Sequence, residues 1–113
     1  GGNCLMATFE EFMDLDIRVG RVINAEDFPK ARKPAYKLTI DFGPLGVKNS
    51  SAQITELYKK EDLVGKEVVC VMNFPPKQVA DFVSEVLVLG VYTENGVVLL
   101  QPDREVPLGC KIG

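Results

Sequence analysis

The side chains that usually carry acid–base or nucleophilic chemistry are scarce in this sequence. Its 113 residues include no histidine, so the commonest general base and activator of a serine or cysteine nucleophile is missing. Lys48 with Ser50 and Ser51 could imitate a serine–lysine pair, but these residue types are common neighbours in a polar strand. The carboxylates of Glu10 and Glu11 lie in a polar setting typical of a solvated helix face. The inventory therefore predicts no catalytic residue and no enzyme.

Metal and phosphate motifs are equally weak. The three cysteines, Cys4, Cys70 and Cys110, show no CxxC spacing, and without histidine the supply of ligands is too small for a structural zinc site. The turn at residues 43–48 lacks the G-x-x-x-x-G-K-[ST] spacing of a phosphate-binding loop. We therefore predict no cofactor and no metal, and we expect reduced thiols in a cytoplasmic protein.

Basic and hydrogen-bonding side chains, in contrast, are concentrated in three segments. These are the basic loop 29–37, the polar strand 47–53 and the diproline segment 73–85. The chain carries a net charge of −3, and its acidic residues lie mostly outside residues 29–60, which are basic. Each segment taken alone is equally consistent with a solvated surface. Together on one sheet they predict a groove suited to a nucleic acid backbone with exposed bases.

Short strands and little helix are the elements that must position these segments. Thr8 to Glu11 fits a capping box and predicts a short helix over residues 9–14. Alternating or continuous apolar residues predict six strands, and Asn95-Gly96 predicts a hairpin before the last of them. The predicted strands are 17–23, 36–42, 47–54, 66–74, 85–92 and 97–100.

Two local features interrupt this strand pattern. The strand at 17–23 slips phase, and Gly20 is where we expect a bulge or a sharp bend. Pro75 and Pro76 lack a backbone donor, so they end the strand before them and predict a stiff loop that displays Lys77. Stiff loops on a sheet are common places to hold a ligand.

The fold class that follows is all-β: a five-stranded OB-fold barrel with a short N-terminal helix and extra terminal strands. We predict a single domain over residues 9–113 and an N-terminal extension over residues 1–8, with a cloning-derived start as one option. Residues 86–92 are apolar on both sides of the strand, so the helix or a second subunit must cover the outer side, and we expect a homodimer. We find no secretory signal and no run of apolar residues that predicts membrane insertion.

Several consecutive blocks of sequence resemble the CsaA-type proteins of the tRNA-binding domain family. CsaA-type proteins are small, homodimeric, export-related chaperones, and the OB-fold modules of the wider family are also appended to aminoacyl-tRNA synthetases. The resemblance covers nearly the whole chain from Phe9 onward. Its blocks are RVGRV (18–22), ARKPAYKL (31–38), VKNSSAQIT (47–55), VGKEVVCVMNFPPKQ (64–78), SEVLVLG (84–90) and VVLLQPDREVPLG (97–109).

The resemblance implies a surface that binds tRNA or a similar structured RNA, in a homodimer. The Asn-x-x-Pro-Lys/Arg element of the family corresponds to Asn73, Pro76 and Lys77, and its Ser-Glu pair to Ser84 and Glu85. With the polar segments above, the predicted RNA-binding residues are Lys33, Lys48, Ser50, Ser51, Gln53, Asn73, Pro76, Lys77, Ser84 and Glu85.

The alternative is a dimeric protein-export chaperone that binds unfolded or precursor polypeptides. Its apolar contacts would come from Phe28, Tyr36, Phe74 and Phe82, although for each aromatic residue taken alone core packing is the favoured explanation.

Two adjacent residues after Lys77 depart from the family pattern. Relatives commonly have a glycine after the lysine, followed by a neutral or basic residue, where this chain has Ala80 and Asp81. An alanine would resist any positive φ that a glycine allows. Asp81 would place a negative charge close to Lys77 and to any bound phosphate.

Overall fold

The computed structural model describes residues 5–113, so Cys4 and the first half of the predicted extension 1–8 lie outside the described residues. The described chain forms nine strands, two short α-helices and one 3-10 turn (Gly43–Leu45). The helices are α1 (Phe9–Met13) and α2 (Lys60–Leu63). The strands are β1 (Ile17–Asp27), β2 (Tyr36–Asp41), β3 (Val47–Ala52), β4 (Glu67–Val71), β5 (Lys77–Val79), β6 (Phe82–Ser84), β7 (Leu87–Val88), β8 (Gly90–Thr93) and β9 (Gly96–Leu99).

Five antiparallel strands form a nearly closed barrel in the order β3-β2-β1-β4-β7. Two separate hairpins, β5–β6 and β8–β9, complete the strands. The barrel interior is filled by residues that alternate along β2 and continue beyond it, including Leu38, Ile40 and Phe42. Each such apolar side chain contributes about 1.5–3 kcal/mol by leaving water. The all-β, OB-like prediction is confirmed.

The predicted bulge at Gly20 is wrong in position. Gly20 pairs regularly with Val68, and the shift in register lies further along β1, between Val22 and Asn24. A Cβ at Gly20 would come within 2.6 Å of side-chain carbons of Ile40 and Phe42. The glycine is therefore required for close packing inside the barrel.

The phase slip in β1 arises because both faces of the strand are covered. Ile17 and Val19 lie on the face opposite Gly20 and are buried. The C-terminal segment pairs with the edge of β1, where the amides of Gly109 and Ile112 donate to the carbonyls of Val19 and Ile17, both at 2.8 Å, and the Ile112 side chain packs against this face. Burial on both sides removes the alternation that a half-exposed strand would show.

The terminal elements differ in how well they pack. The predicted capping box is present: the Glu11 amide donates to Thr8 Oγ1 at 3.1 Å, and the Thr8 amide donates to Glu11 Oε1 at 2.8 Å. Helix α1 nevertheless buries none of its residues.

The predicted strand 85–92 is divided into β7 and β8, and the predicted hairpin at Asn95-Gly96 forms, with Thr93 paired to Gly96. No helix of the described chain is long and apolar enough to cross a membrane.

Candidate nucleic-acid interface

A groove of about 1290 Å³ lies between the loop after β1, strand β3 and the β5–β6 hairpin. The loop after β1 supplies three cations to its wall, and the hairpin supplies a fourth. Strand β3 and the residues that follow it supply hydrogen-bonding groups. The polar lining consists of Lys30, Arg32, Lys33, Ser51, Gln53, Lys77, Gln78, Ser84 and Tyr92.

The two prolines lead into the β5–β6 hairpin rather than into a plain stiff loop. Pro75 and Pro76 lie outside any strand, and Lys77 begins β5 directly opposite Ser84 of β6. This hairpin was not predicted, because its turn contains no glycine and its strands are only three residues long. The hairpin holds Lys77 in a strand pair at the wall of the groove.

The turn of this hairpin contains a non-glycine residue with positive φ. Ala80 has a φ of +52°, where a Cβ is unfavourable, and it is the only described residue other than glycine with a positive φ. Its carbonyl accepts a hydrogen bond of 2.8 Å from Gln78 Nε2. A positive φ at the first position of a two-residue turn is what matches the twist of the two strands, so the position favours glycine.

The barrel closes between β3 and residues 84–86, and this closure uses several predicted site residues. The Ser51 amide donates to Ser84 Oγ at 3.0 Å, and the Asn49 amide donates to Glu85 Oε1 at 2.9 Å. Ser50 is fully buried, and its hydroxyl donates to the carbonyl of Val86 at 2.9 Å. Ser50 and Glu85 are therefore arranged to hold the groove wall in place.

Asn73 fixes the segment before β1. Its Oδ1 accepts from the Asp16 amide, and its Nδ2 donates to the carbonyl of Asp14, both at 2.8 Å. Both ends of this amide are thus engaged within the chain. The structure brings Lys33, Ser51, Gln53, Lys77 and Ser84 together on the groove. It leaves Lys48, Ser50, Asn73, Pro76 and Glu85 off the groove lining.

The four aromatic residues proposed to hold polypeptides do not form one surface. Phe28 is buried and stacks edge-on against Phe82, with ring centroids 5.5 Å apart. The hydroxyl of Tyr36 donates to the carbonyl of Tyr58 at 2.7 Å. Phe74 is 44% exposed, whereas Phe28 is buried and Tyr36 and Phe82 are partly buried. Packing against each other accounts for Phe28 and Phe82, and packing against the core accounts for Tyr36.

Asp81 is paired with Lys30 at the edge of the groove. Lys30 Nζ lies 2.9 Å from Asp81 Oδ2. This hydrogen bond, with the positive charge of Lys30 and a smaller effect of Lys37, lowers the pKa of the Asp81 carboxyl from its ordinary value. The negative charge expected from the sequence beside Lys77 thus has Lys30 as its partner. Among residues 5–113 no group of histidine, cysteine, aspartate or glutamate side chains could hold a metal ion.

Four polar residues that line the groove were not among the predicted RNA-binding residues: Lys30, Arg32, Gln78 and Tyr92. The signal for Lys30 and Arg32 was present, since both belong to the basic loop. Tyr92 was assigned to a strand, but β8 projects in its own hairpin and leaves this residue 91% exposed.

Comparison with known proteins connects this arrangement to a family. Residues 17–111 match the family model described as "Putative tRNA binding domain". The chain belongs to the tRNA-binding domain family. The match extends over the barrel, both hairpins and the C-terminal segment.

Curated relatives carry this domain as part of longer proteins. The methionine–tRNA ligase of Thermococcus onnurineus (strain NA1) is 37% identical over 112 residues, which is 99% of this chain and 15% of the ligase. That of Pyrococcus horikoshii is 38% identical over 104 residues, or 92% of this chain and 14% of the ligase. The chain thus spans about one seventh of the length of these relatives.

Two solved structures match nearly their whole length. The chaperone CsaA from Bacillus anthracis str. Ames is 60% identical, with a TM-score of 0.90, and the match covers 96% of this chain and 99% of that chain. The CsaA chaperone protein from Picrophilus torridus is 56% identical, with a TM-score of 0.91 and coverages of 96% and 100%. These matches confirm the CsaA-type resemblance within the family.

Proposed function

We propose that the protein binds tRNA or a similarly structured RNA in the groove and performs no reaction on it. The observation that carries this proposal is the gathering of four cations on one groove of a chain with a net charge of −3. Chance placement of surface charge does not favour such a concentration. Membership of the tRNA-binding domain family supports the same ligand.

The groove offers two kinds of contact to an RNA. Arg32, Lys33 and Lys77 form no ion pair within residues 5–113, so their charges are available to phosphates. Ser51 and Gln53 present hydrogen-bonding groups, and the exposed ring of Tyr92 offers a face on which a base can stack. The charges set affinity and the other contacts set selectivity.

We further propose that the protein acts as a homodimer in a reducing, cytoplasmic setting. Support for the dimer comes from the N-terminal region, where Leu5 is 94%, Met6 80% and Phe9 70% exposed in the single chain. A helix as short as α1 is not stable in water by itself, so its apolar side chains need a packing partner. Within residues 5–113, Cys70 and Cys110 are free thiols, which supports the setting.

Binding of unfolded or precursor polypeptides is the second candidate function. The exposed Phe74 and the N-terminal apolar residues favour it, as does the likeness to two structures described as chaperones. Apolar contacts persist at high salt, whereas contacts with phosphates weaken. Salt dependence therefore separates the two candidates.

The test is the anisotropy of labelled total tRNA with purified protein, titrated at several salt concentrations beside a labelled unfolded polypeptide. Lys77→Ala should weaken tRNA binding and lower the salt slope by about one unit, because one phosphate contact is lost. Lys111→Ala is the matched control, since this exposed lysine lies off the groove and carries the same charge. Equal effects of the two variants would remove Lys77 from the site. Absence of salt-dependent tRNA binding by the parent protein would refute the proposed function.

A further inference from the structure

The loop after β1 and the β5–β6 hairpin are joined by two different contacts at the edge of the groove. One is the ion pair between Lys30 and Asp81. The other is the aromatic contact between Phe28 and Phe82, and the amino group of Lys37 in β2 lies 5.4 Å from the ring centroid of Phe28 and 5.8 Å from that of Phe82. The aromatic contact holds the two segments together, and the ion pair uses one of the groove cations.

We infer that Asp81 competes with RNA phosphate for Lys30, so that Asp81 limits both the affinity of the groove and the number of phosphates it can hold. This inference rests on the proposed binding of RNA. Lys30 lines the groove, as does Ala80 beside Asp81, so the carboxylate lies where a phosphate oxygen would otherwise reach the lysine. A carboxylate and a phosphate oxygen are alternative acceptors for the same ammonium group.

The ion pair between Lys30 and Asp81 is exposed enough for Lys30 to exchange its carboxylate partner for a phosphate. The Lys30 side chain is 69% exposed and that of Asp81 is 57% exposed, and ion pairs in such positions are weak. The Phe28–Phe82 stack and the overlying Lys37 do not depend on this pair. Opening the pair therefore requires side-chain rotation only, while the groove keeps its shape.

The inference has a definite consequence for the salt dependence. While Asp81 is charged, it keeps Lys30 as its partner, and the RNA phosphate beside Lys30 retains its condensed counterion. Once Asp81 is neutralised, Lys30 contacts that phosphate and the counterion of the phosphate is released, which adds about 0.7–0.9 to the magnitude of the salt slope. We expect Asp81→Asn to bind tRNA about 3–10 times more tightly at low salt, with the steeper slope.

The matched control is Asp103→Asn. Asp103 also forms an exposed ion pair, with Arg104 at 3.2 Å, and its removal changes the net charge equally, but its partner Arg104, unlike Lys30, does not line the groove. The Lys30→Ala variant and the double variant Lys30→Ala/Asp81→Asn complete a cycle. If Asp81 acts through Lys30, the gain produced by Asp81→Asn disappears when Lys30 is absent.

An NMR titration of the Asp81 carboxyl tests the pair without RNA. Its pKa should lie below the ordinary value in the parent protein and return toward it in Lys30→Ala, since Lys30 is the main cause of the shift. An unshifted pKa in the parent protein overturns the inference even if RNA binding stands.

The binding results are equally decisive. Equal affinities for the parent protein and Asp81→Asn, or equal gains in Asp81→Asn and Asp103→Asn, would overturn the inference and leave the proposed function intact. Failure of the parent protein and of Asp81→Asn to bind tRNA would overturn both. Binding that appears only in Asp81→Asn and requires Lys30 would support the competition but would refute the proposed binding of RNA by the parent protein.

Discussion

Ser50 should stabilise the barrel without contacting RNA. The sequence places it beside Ser51 in a polar strand, and both serines were predicted to bind RNA. In the structure Ser50 is fully buried and donates its hydroxyl to the carbonyl of Val86, whereas Ser51 lines the groove. Replacing each serine by alanine therefore tests whether the fold has given two adjacent, chemically identical residues different roles.

The cost of Ser50→Ala follows from the group that it leaves behind. The Val86 carbonyl would keep only a long contact of 3.5 Å with the Ser84 hydroxyl. A buried acceptor left without a good donor costs about 1–3 kcal/mol, and removal of the buried hydroxyl offsets part of this. We expect the free energy of unfolding to fall by about 1–2 kcal/mol. For a domain of this size, that corresponds to a Tm lower by about 4–12 °C.

Urea unfolding and tRNA anisotropy on the same protein samples measure the two effects. Ser50→Ala should lower the unfolding midpoint while leaving the salt slope of tRNA binding unchanged, because no charged contact is lost. Ser51→Ala should do the reverse: only the backbone of Ser51 takes part in the hydrogen bonds found within residues 5–113, so stability should change little while tRNA affinity falls. Unchanged stability in Ser50→Ala, or a loss of RNA affinity while the variant remains fully folded, would refute the reasoning.

Two further predictions concern the hairpin turn and the thiols. Ala80→Gly should raise the free energy of unfolding by about 0.5–1 kcal/mol, since relief of the positive φ outweighs the added freedom of the unfolded chain; a lower urea midpoint would contradict this. Burial raises the pKa of the Cys70 thiol to about 12. In a Cys4→Ser background at pH 8, a thiol reagent should modify only the exposed Cys110 in the folded protein, because the Cys70 thiolate is about one part in ten thousand; rapid modification of both would contradict the buried position.

The parts of the fold that could be predicted are those determined by neighbouring residues. The alternation at 36–42 placed β2 to within one residue, and Thr8 with Glu11 marked the start of α1, because pleat and capping are local effects. The role of Gly20 could not be predicted. It depends on Ile40 and Phe42 inside the barrel and on a distant C-terminal segment that pairs with the edge of β1 and packs Ile112 against its other face.

The candidate site divides in the same way. The cations of the loop after β1 are a property of composition, so the sequence located the basic wall of the groove. Whether a serine, asparagine or glutamate is free for a ligand depends on which backbone groups the closed barrel brings to it. Asn73 finds the amide of Asp16, 57 residues away, and Ser50 finds the carbonyl of Val86, 36 residues away. Such pairings are not encoded in any local spacing.

The charge of the whole chain also shapes what the groove can bind. The chain carries a net charge of −3, so a polyanion is weakly repelled overall until it comes within about one Debye length, roughly 8 Å at physiological ionic strength, of the basic wall. In the proposed complex, attraction then depends on phosphates that fit between Lys33 and Lys77 while a base reaches the β3 side of the groove. A net acidic chain with one small basic groove therefore disfavours indiscriminate binding of polyanions and favours an RNA whose folded shape presents a few phosphates at the right places. By neutralising Lys30, Asp81 strengthens this bias, because it removes one nonspecific charge from the groove and leaves the shape-dependent contacts in place.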